Sequence, residues 1–232
     1  MTELGAMDVS LRLAVWTVVL LAPVALGLGW WLARTPWRGR AGVEVLVALP
    51  LALPPTVLGF YLLLLQCPTG VAGRAWQAVS GAPLAFSFAG IVIASLIANL
   101  PLALAPVRAA MAGVPRELTE AARTLGDSRL SAARRVLLPL TAHGLVAGLG
   151  LAFARAMGEF GVVLMVGGNI PGRTRTLAIA VYDQVLALDY GAAHRSGDRR
   201  TPGAGRRRPP AAADRWRAAD VDGPVRTGRY GF

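Results

Sequence analysis

Charged side chains make up only 16% of this 232-residue chain, and they are clustered. The most polar block in the middle of the chain is ELTEAARTLGDSRLSAARRVLLPL, from Glu117 to Leu140. Arg155 and Glu159 stand one helical turn apart inside an apolar run, and Arg173 and Arg175 share the short stretch PGRTRT. Each group has a chemistry open to it. Arginine can take an oxyanion through paired N–H donors. A carboxylate repels a dianion, so Glu159 is not read as an anion ligand. An Arg–Glu pair in apolar surroundings faces a bundle interior, where each charge offsets the other, as a polar brace or as part of a gate. Bond-breaking chemistry has no such residues. There is no G-x4-G-K-[ST] phosphate loop and no lysine. Asp183, Asp189, His143 and His194 are too scattered to form a metal or nucleophile set. The single Cys67 excludes an internal disulfide framework. The chain is therefore not read as an enzyme, and no cofactor or metal is assigned to it.

These residues must be positioned by membrane-crossing elements. The chain is 54% hydrophobic with a mean hydropathy of +0.50. Four runs are long and apolar enough to cross a bilayer, which takes roughly 20 helical residues. They lie at about 11–33, 43–65, 84–106 and 141–167. The first exceeds a signal-peptide core, and no small-x-small cleavage site follows it. Trp30 and Trp31 close it, where amphipathic rings favour the interface. The second contains Pro50, Pro54 and Pro55, which kink or loosen a helix. Pro54 and Pro55 are candidates for lining a pathway, as is Asn99 in the third run. The fourth contains Gly144 and Gly148 at a spacing that lets helices approach closely, and it carries Arg155 and Glu159. The predicted fold class is all-α, a polytopic membrane helix bundle.

Arginine placement orients the bundle. The 34–42 loop holds Arg34, Arg38 and Arg40; the 107–140 loop holds Arg108, Arg116, Arg123, Arg129, Arg134 and Arg135. The 66–83 loop has only Arg74, and the segment after the fourth run has Arg173 and Arg175. The positive-inside tendency puts the first two loops in the cytoplasm and the N-terminus outside.

The polar block itself reads as two short helices. Pro115 suits a helix start and Gly126 a helix end. Val114, Leu118, Ala121, Ala122 and Leu125 form one stripe, opposite Arg116, Glu120 and Arg123. Asp127 or Ser128 can cap a second helix, whose arginines can reach anionic lipid headgroups. Three readings compete: a helix-turn-helix for DNA, a solvated loop without a partner, and a docking helix for a cytoplasmic protein. The trapped position between two spans speaks against DNA. Ala121 and Ala122 favour docking, because small side chains admit a close partner.

At this point the residues carry a resemblance. Glu120-Ala121-Ala122, three residues, Gly126, nine residues, Val136, one residue and Leu138-Pro139 is similar to the signature of the membrane subunits of ABC importers, with Val for Ile as the one departure. The runs LPLALPPTVLGFYLLL, LAFARAMGEFG and GNIPGRTRTLAIAVY resemble those of molybdate permeases, with sulfate permeases as near relatives. The resemblance runs from about residue 10 to Ala193. It implies an importer for a tetrahedral oxyanion: molybdate, with sulfate, thiosulfate or tungstate as alternatives. It implies that Glu117, Glu120, Ala121, Ala122, Gly126 and Pro139 couple the spans to cytoplasmic ATP-binding subunits, which would hold the ATP and Mg. It further implies a homodimer of permease subunits, a periplasmic or extracellular oxyanion-binding protein that Arg173 and Arg175 could contact, membrane lipids around the chain and no nucleic acid. A membrane-anchored helix-turn-helix or adaptor protein is the alternative from another class.

The pattern breaks after Ala193. Fourteen arginines against nine acids precede that point and ten against four follow it, so over half of the +11 charge lies in 194–232. That segment is Arg-, Pro- and Gly-rich and is expected to be disordered. Relatives would continue into a fifth span there. A shifted reading frame near His194 explains the abrupt change, with a genuine basic tail as the alternative. On a four-span count that tail would lie outside, against the positive-inside tendency.

Overall fold

The computed structural model describes residues 2–187, and no strand occurs among them. The tail at 194–232, which starts at His194, and Asp189 before it lie outside the described residues. Ten helices follow in chain order: α1 Thr2–Arg34, α2 Arg40–Ala52, α3 Pro55–Gln66, α4 Val71–Ser80, α5 Phe88–Ala112, α6 Arg116–Thr124, α7 Arg129–Ala132, α8 Leu138–Met157, α9 Gly161–Gly167 and α10 Leu177–Leu186. A π turn, Ala133–Leu137, joins α7 to α8 without a break.

Three helices are long and apolar enough to cross a membrane, and the pair α2–α3 makes a fourth span if its two halves are taken together. They are built around α5, which packs against α1, α2, α3, α8 and α9. Leu21 and Ala25 of α1 meet Ala103, Val107 and Met111 of α5 and Ala152 of α8 in one buried cluster. On the other side of α5, Ala94 and Ala98 pack with Leu58 and Leu62 of α3 and Val162 and Val166 of α9. Many large apolar side chains on the outside, among them Val15, Trp16, Val19 and Val146, remain exposed. Outward-facing oil of this kind is what a helix in lipid presents.

The third run, predicted at about 84–106, is α5 at Phe88–Ala112, and the boundaries depart further in four other places. α1 starts near the chain's beginning rather than at 11, because Val9 and Leu13 pack into the cluster formed with Ile91, Val163 and Ile179, and Ser10 accepts the Leu177 N–H at 2.8 Å. The second run is two helices bent by 113° at Leu53–Pro54. Pro54 has no N–H and biases Leu53 to extended backbone, and Leu53 has ψ 140°. The fourth run ends its first helix at Met157 and resumes at Gly161, so it too is interrupted. Between the second and third runs, where the sequence suggests only a loop, lies α4, closed by Gly81 in the left-handed region at φ 70°.

Both arginine-rich loops sit at one end of the bundle. Arg34 at the end of α1 donates to the Val114 carbonyl just past α5 at 3.1 Å. Glu44 near the start of α2 pairs with Arg40 at 2.7 Å and with Arg108 of α5 at 3.0 Å. This juxtaposition is what the alternating arginine count requires.

Candidate functional site

α6 projects from the arginine-rich end of the bundle. Pro115 stands at its N-cap and Glu117 in its first turn, where a carboxylate favours the positive end of the helix. Of its nine residues none is buried. Glu120 and Ala121 are exposed and Ala122 is half-buried. Leu118 and Leu125, on the apolar stripe, are 46% and 88% exposed. Val114, at the root of that stripe, is buried against the spans. The helix is thus fastened at its base and bare along its length.

Its far end is fastened as well. The chain reverses at Gly126, which adopts φ +97°. A β-carbon at Gly126 would meet nothing within 4 Å, so the turn rather than crowding asks for glycine. The Asp127 N–H returns to the Ala122 carbonyl at 3.1 Å. Asp127 Oδ1 accepts the Ser131 hydroxyl at 2.6 Å and faces Arg135 Nη1 at 3.3 Å. Ser128 Oγ caps the next helix by accepting the Ser131 N–H at 3.2 Å. α7 then runs through the π turn into α8. Pro139 supplies the reason for the wide turn: its ring crowds the carbonyl four residues back and it has no N–H to donate. The Leu138 N–H reaches Ala133 instead, and the Thr141 hydroxyl bonds the Leu137 carbonyl at 2.8 Å. Because α7 is continuous with a span, the block offers no separate recognition helix for a DNA groove.

A second constellation lies where the two interrupted spans meet. A β-carbon on Gly59 of α3 would fall 2.8 Å from Met165 Cβ and 3.0 Å from Val162 Cα; one on Gly161 would fall 2.9 Å from Pro55 Cβ. The glycines therefore let the break at Pro54–Pro55 lie against the break at Gly158–Phe160. Pro54, Pro55 and Thr56 remain exposed on this surface. Arg155 and Glu159 flank the second break, with Nε and Oε2 at 3.5 Å. Their side chains are 32% and 4% exposed. The distance is within ion-pair reach but makes no hydrogen bond, and neither atom has another partner among the described residues.

The remaining predicted residues fall elsewhere. Asn99 is fully buried in the α1–α5 contact, where its Nδ2 donates to the Ser95 carbonyl at 2.8 Å and Ser95 Oγ receives Thr17 Oγ1 at 3.0 Å. Its own bonds stay within α5, and the Ser95 hydroxyl carries the link on to Thr17 of α1. Arg175 pairs with Asp183 at 2.8 Å, and Asn169 donates to the same carboxylate at 2.6 Å. Arg173 is exposed and has no acidic group within 4 Å among the described residues. The two arginines of PGRTRT are thus unlike: one ties its loop to α10 and one faces outward. Sequence reasoning missed Gln66, which is 1% exposed and donates to the Gly90 carbonyl at 3.3 Å, joining α3 to the start of α5. An amide inside an otherwise apolar run was the signal.

Comparison with known proteins agrees with this architecture. Residues 25–193 match the family model described as binding-protein-dependent transport system inner membrane component. The chain is 43% identical over 192 residues to the molybdenum transport system permease protein ModB of Azotobacter vinelandii, covering 83% of this chain and 85% of that one. It is 38% identical over 180 residues to ModB of Escherichia coli K12, covering 78% and 79%. The sulfate transport system permease protein CysT of Salmonella typhimurium is 32% identical over 189 residues, covering 82% of this chain and 68% of that one. A crystal structure of a bacterial alginate ABC transporter in complex with its alginate-bound periplasmic protein shares the fold, with TM-score 0.69 at 15% identity over 85% of this chain and 72% of that one. The all-α bundle, the interrupted spans and a match that ends at Ala193 fit together: the chain is a multi-pass membrane permease subunit, and it belongs to the family of binding-protein-dependent transport system inner membrane components.

Proposed function

We propose that this chain is the membrane-spanning subunit of an ATP-driven molybdate importer. Two copies would form the pathway, a binding protein would deliver the oxyanion, and ATP-binding subunits at the arginine-rich end would drive alternating access. The observation that carries this reading is α6: a helix with an apolar stripe and no buried residue among its nine, fastened at both ends. A helix held this way transmits a push from a docked partner to α5 and, through α7, to α8. Glu120, Ala121, Ala122 and Gly126 would form the docking face and its turn. That end would then lie in the cytoplasm, with the N-terminus outside. The meeting of the two interrupted spans is the candidate gate, since half-helices with exposed Pro54, Pro55 and Thr56 can shift without unwinding a continuous helix. Exposed Arg173 is the candidate contact for the binding protein.

Molybdate is favoured over sulfate by the higher identity to proteins named as molybdenum permeases, 43% and 38% against 32%. The test is uptake of labelled molybdate by cells lacking and then regaining the gene. Restored uptake that excess sulfate leaves intact supports the reading; restored sulfate uptake alone replaces it with the sulfate one. A Gly126→Asp chain should insert in the membrane and lose its ATP-binding partner in a pull-down. Retention of that partner would overturn the role given to α6.

A further inference from the structure

We propose that the groove between α1 and the π turn binds an anionic phospholipid, its phosphate on Arg134 and an acyl chain along Pro23, Leu26 and Gly27. The groove has a volume of about 610 Å³, within the range of small-ligand sites. Its floor is apolar: Pro23, Leu26 and Gly27 from α1 face Leu138 from α8, and Trp30 and Arg134 stand on its rim. Pro23, Gly27 and Trp30 recur at helical spacing, so they line one face of α1. Gly27 leaves that face open, because a β-carbon there would meet nothing within 4 Å.

Charge decides the occupant. Arginines near the groove are engaged: Arg34 with the Val114 carbonyl, Arg108 with Glu44 and Arg135 with Asp127. Arg134 has no acidic group within 4 Å among the described residues, and it stands beside a trough that water solvates poorly. A guanidinium there calls for an anion that also carries an apolar body. A soluble anion would leave the trough empty, and a second apolar helix would leave the cation unpaired. A phospholipid with net negative charge meets both demands. Trp30 adds an amphipathic ring, the type that settles at headgroup level. The trough is continuous with the exposed apolar side of α1, at Val19, Leu20 and Val24, so a lipid enters it sideways from the bilayer. Seated there, the lipid presses on the π turn that links α7 to α8.

The full chain in phosphatidylcholine vesicles with a minor fraction of phosphatidylglycerol tests this. A phosphatidylglycerol with a photoreactive acyl chain should label peptides around residues 23–30 and 133–138. Unlabelled phosphatidylglycerol should compete and phosphatidylcholine should not, a comparison that needs no variant. Arg134→Gln should lower the labelling by about five-fold, the scale of one basic residue at an anionic surface, whereas Arg134→Lys and Arg135→Gln should keep most of it. Gly27→Leu should also abolish it, by filling the trough without a clash. Equal competition by the two lipids, or labelling untouched by both Arg134→Gln and Gly27→Leu, overturns the proposal. Disulfide linkage between copies carrying Gly27→Cys, with no lipid labelling, overturns it in favour of a second copy of the chain.

Discussion

None of α6 is buried, whereas Gly59, Gly161, Val162 and Val163, where α3 meets α9, are closed off by their neighbours. The loop helix is joined to the rest of the molecule by a handful of polar bonds at its two ends. The junction of the interrupted spans is joined by direct backbone approach, with the partly buried Arg155–Glu159 pair of the fourth run beside it. A helix of the first kind can be changed along its length with little effect on the fold, so defects there should appear in transport. A junction of the second kind is closely packed, so defects there should appear first in stability. The separation between those two readouts can be broken or sharpened residue by residue.

The largest effect is expected at Arg155→Met. It leaves Glu159, with 4% of its side chain exposed, without an opposite charge within 4 Å. Breaking one half of a buried pair costs about 3–5 kcal/mol. Arg155 keeps 32% of its side chain exposed, which places the expected loss near the lower end, about 3 kcal/mol by that scale. Chemical unfolding in detergent micelles measures it. The double variant Arg155→Met/Glu159→Leu should regain most of the loss, because apolar replacements of a buried pair are often neutral. If the double variant is as stable as the parent and does not transport, the pair belongs to the gate as well as to the fold.

Gly161→Val comes next. Its first side-chain carbon would stand 2.9 Å from Pro55 Cβ and 3.3 Å from the Thr56 nitrogen, so α3 and α9 must part. Overpacking of this kind costs about 1–3 kcal/mol. At Gly126→Val the setting is the reverse: φ is +97° but the space around it is open. A β-branched residue in left-handed backbone costs about 1–2 kcal/mol locally, and α6 can absorb that by opening alone. The expected outcome is unfolding of the spans at the same denaturant concentration, with uptake lost. A matched fall in span stability would erase the contrast between the two regions.

That contrast also explains what could be read in advance. The spacing from Glu120 to Pro139 was legible because it is local and lies on exposed residues whose types are free of packing demands. The apolar runs were legible for a similar reason, since bilayer thickness sets their length. The angle of the second span was not. Prolines announced a weak point, but Pro23, Pro50, Pro101 and Pro106 all sit inside helices without ending them. The close packing of Gly59 and Gly161, together with the extended backbone of Leu53, marks the place where the chain turns by 113°. Asn99 shows the same limit from the other side. Its type and its place in an apolar run made it a pathway candidate, while its bonds to Ser95, and through Ser95 to Thr17, lie in the α1–α5 contact. α4 escaped notice because ten residues with Arg74, Trp76 and Gln77 show no apolar run.

The smallest change is also the cleanest probe of α6. Asp127→Asn keeps an oxygen for the Ser131 hydroxyl and removes the charge that faces Arg135 at 3.3 Å. Arg135 leaves 75% of its side chain in solvent, and exposed pairs of this kind contribute about 0–1 kcal/mol. Global stability should therefore move by less than about 1 kcal/mol, and the difference should shrink further in high salt. Hydrogen exchange should speed up at the amides of Leu125 to Ala132 and stay unchanged in α5 and in the second half of α8. Transport should fall only as far as α6 depends on being held at its Gly126 end. Uptake that falls steeply while exchange stays confined to this turn would make the Asp127 clasp a part of the coupling path. Exchange that spreads into α8 would show instead that the turn and the span open together, and that α6 is less separate from the bundle than its exposure implies.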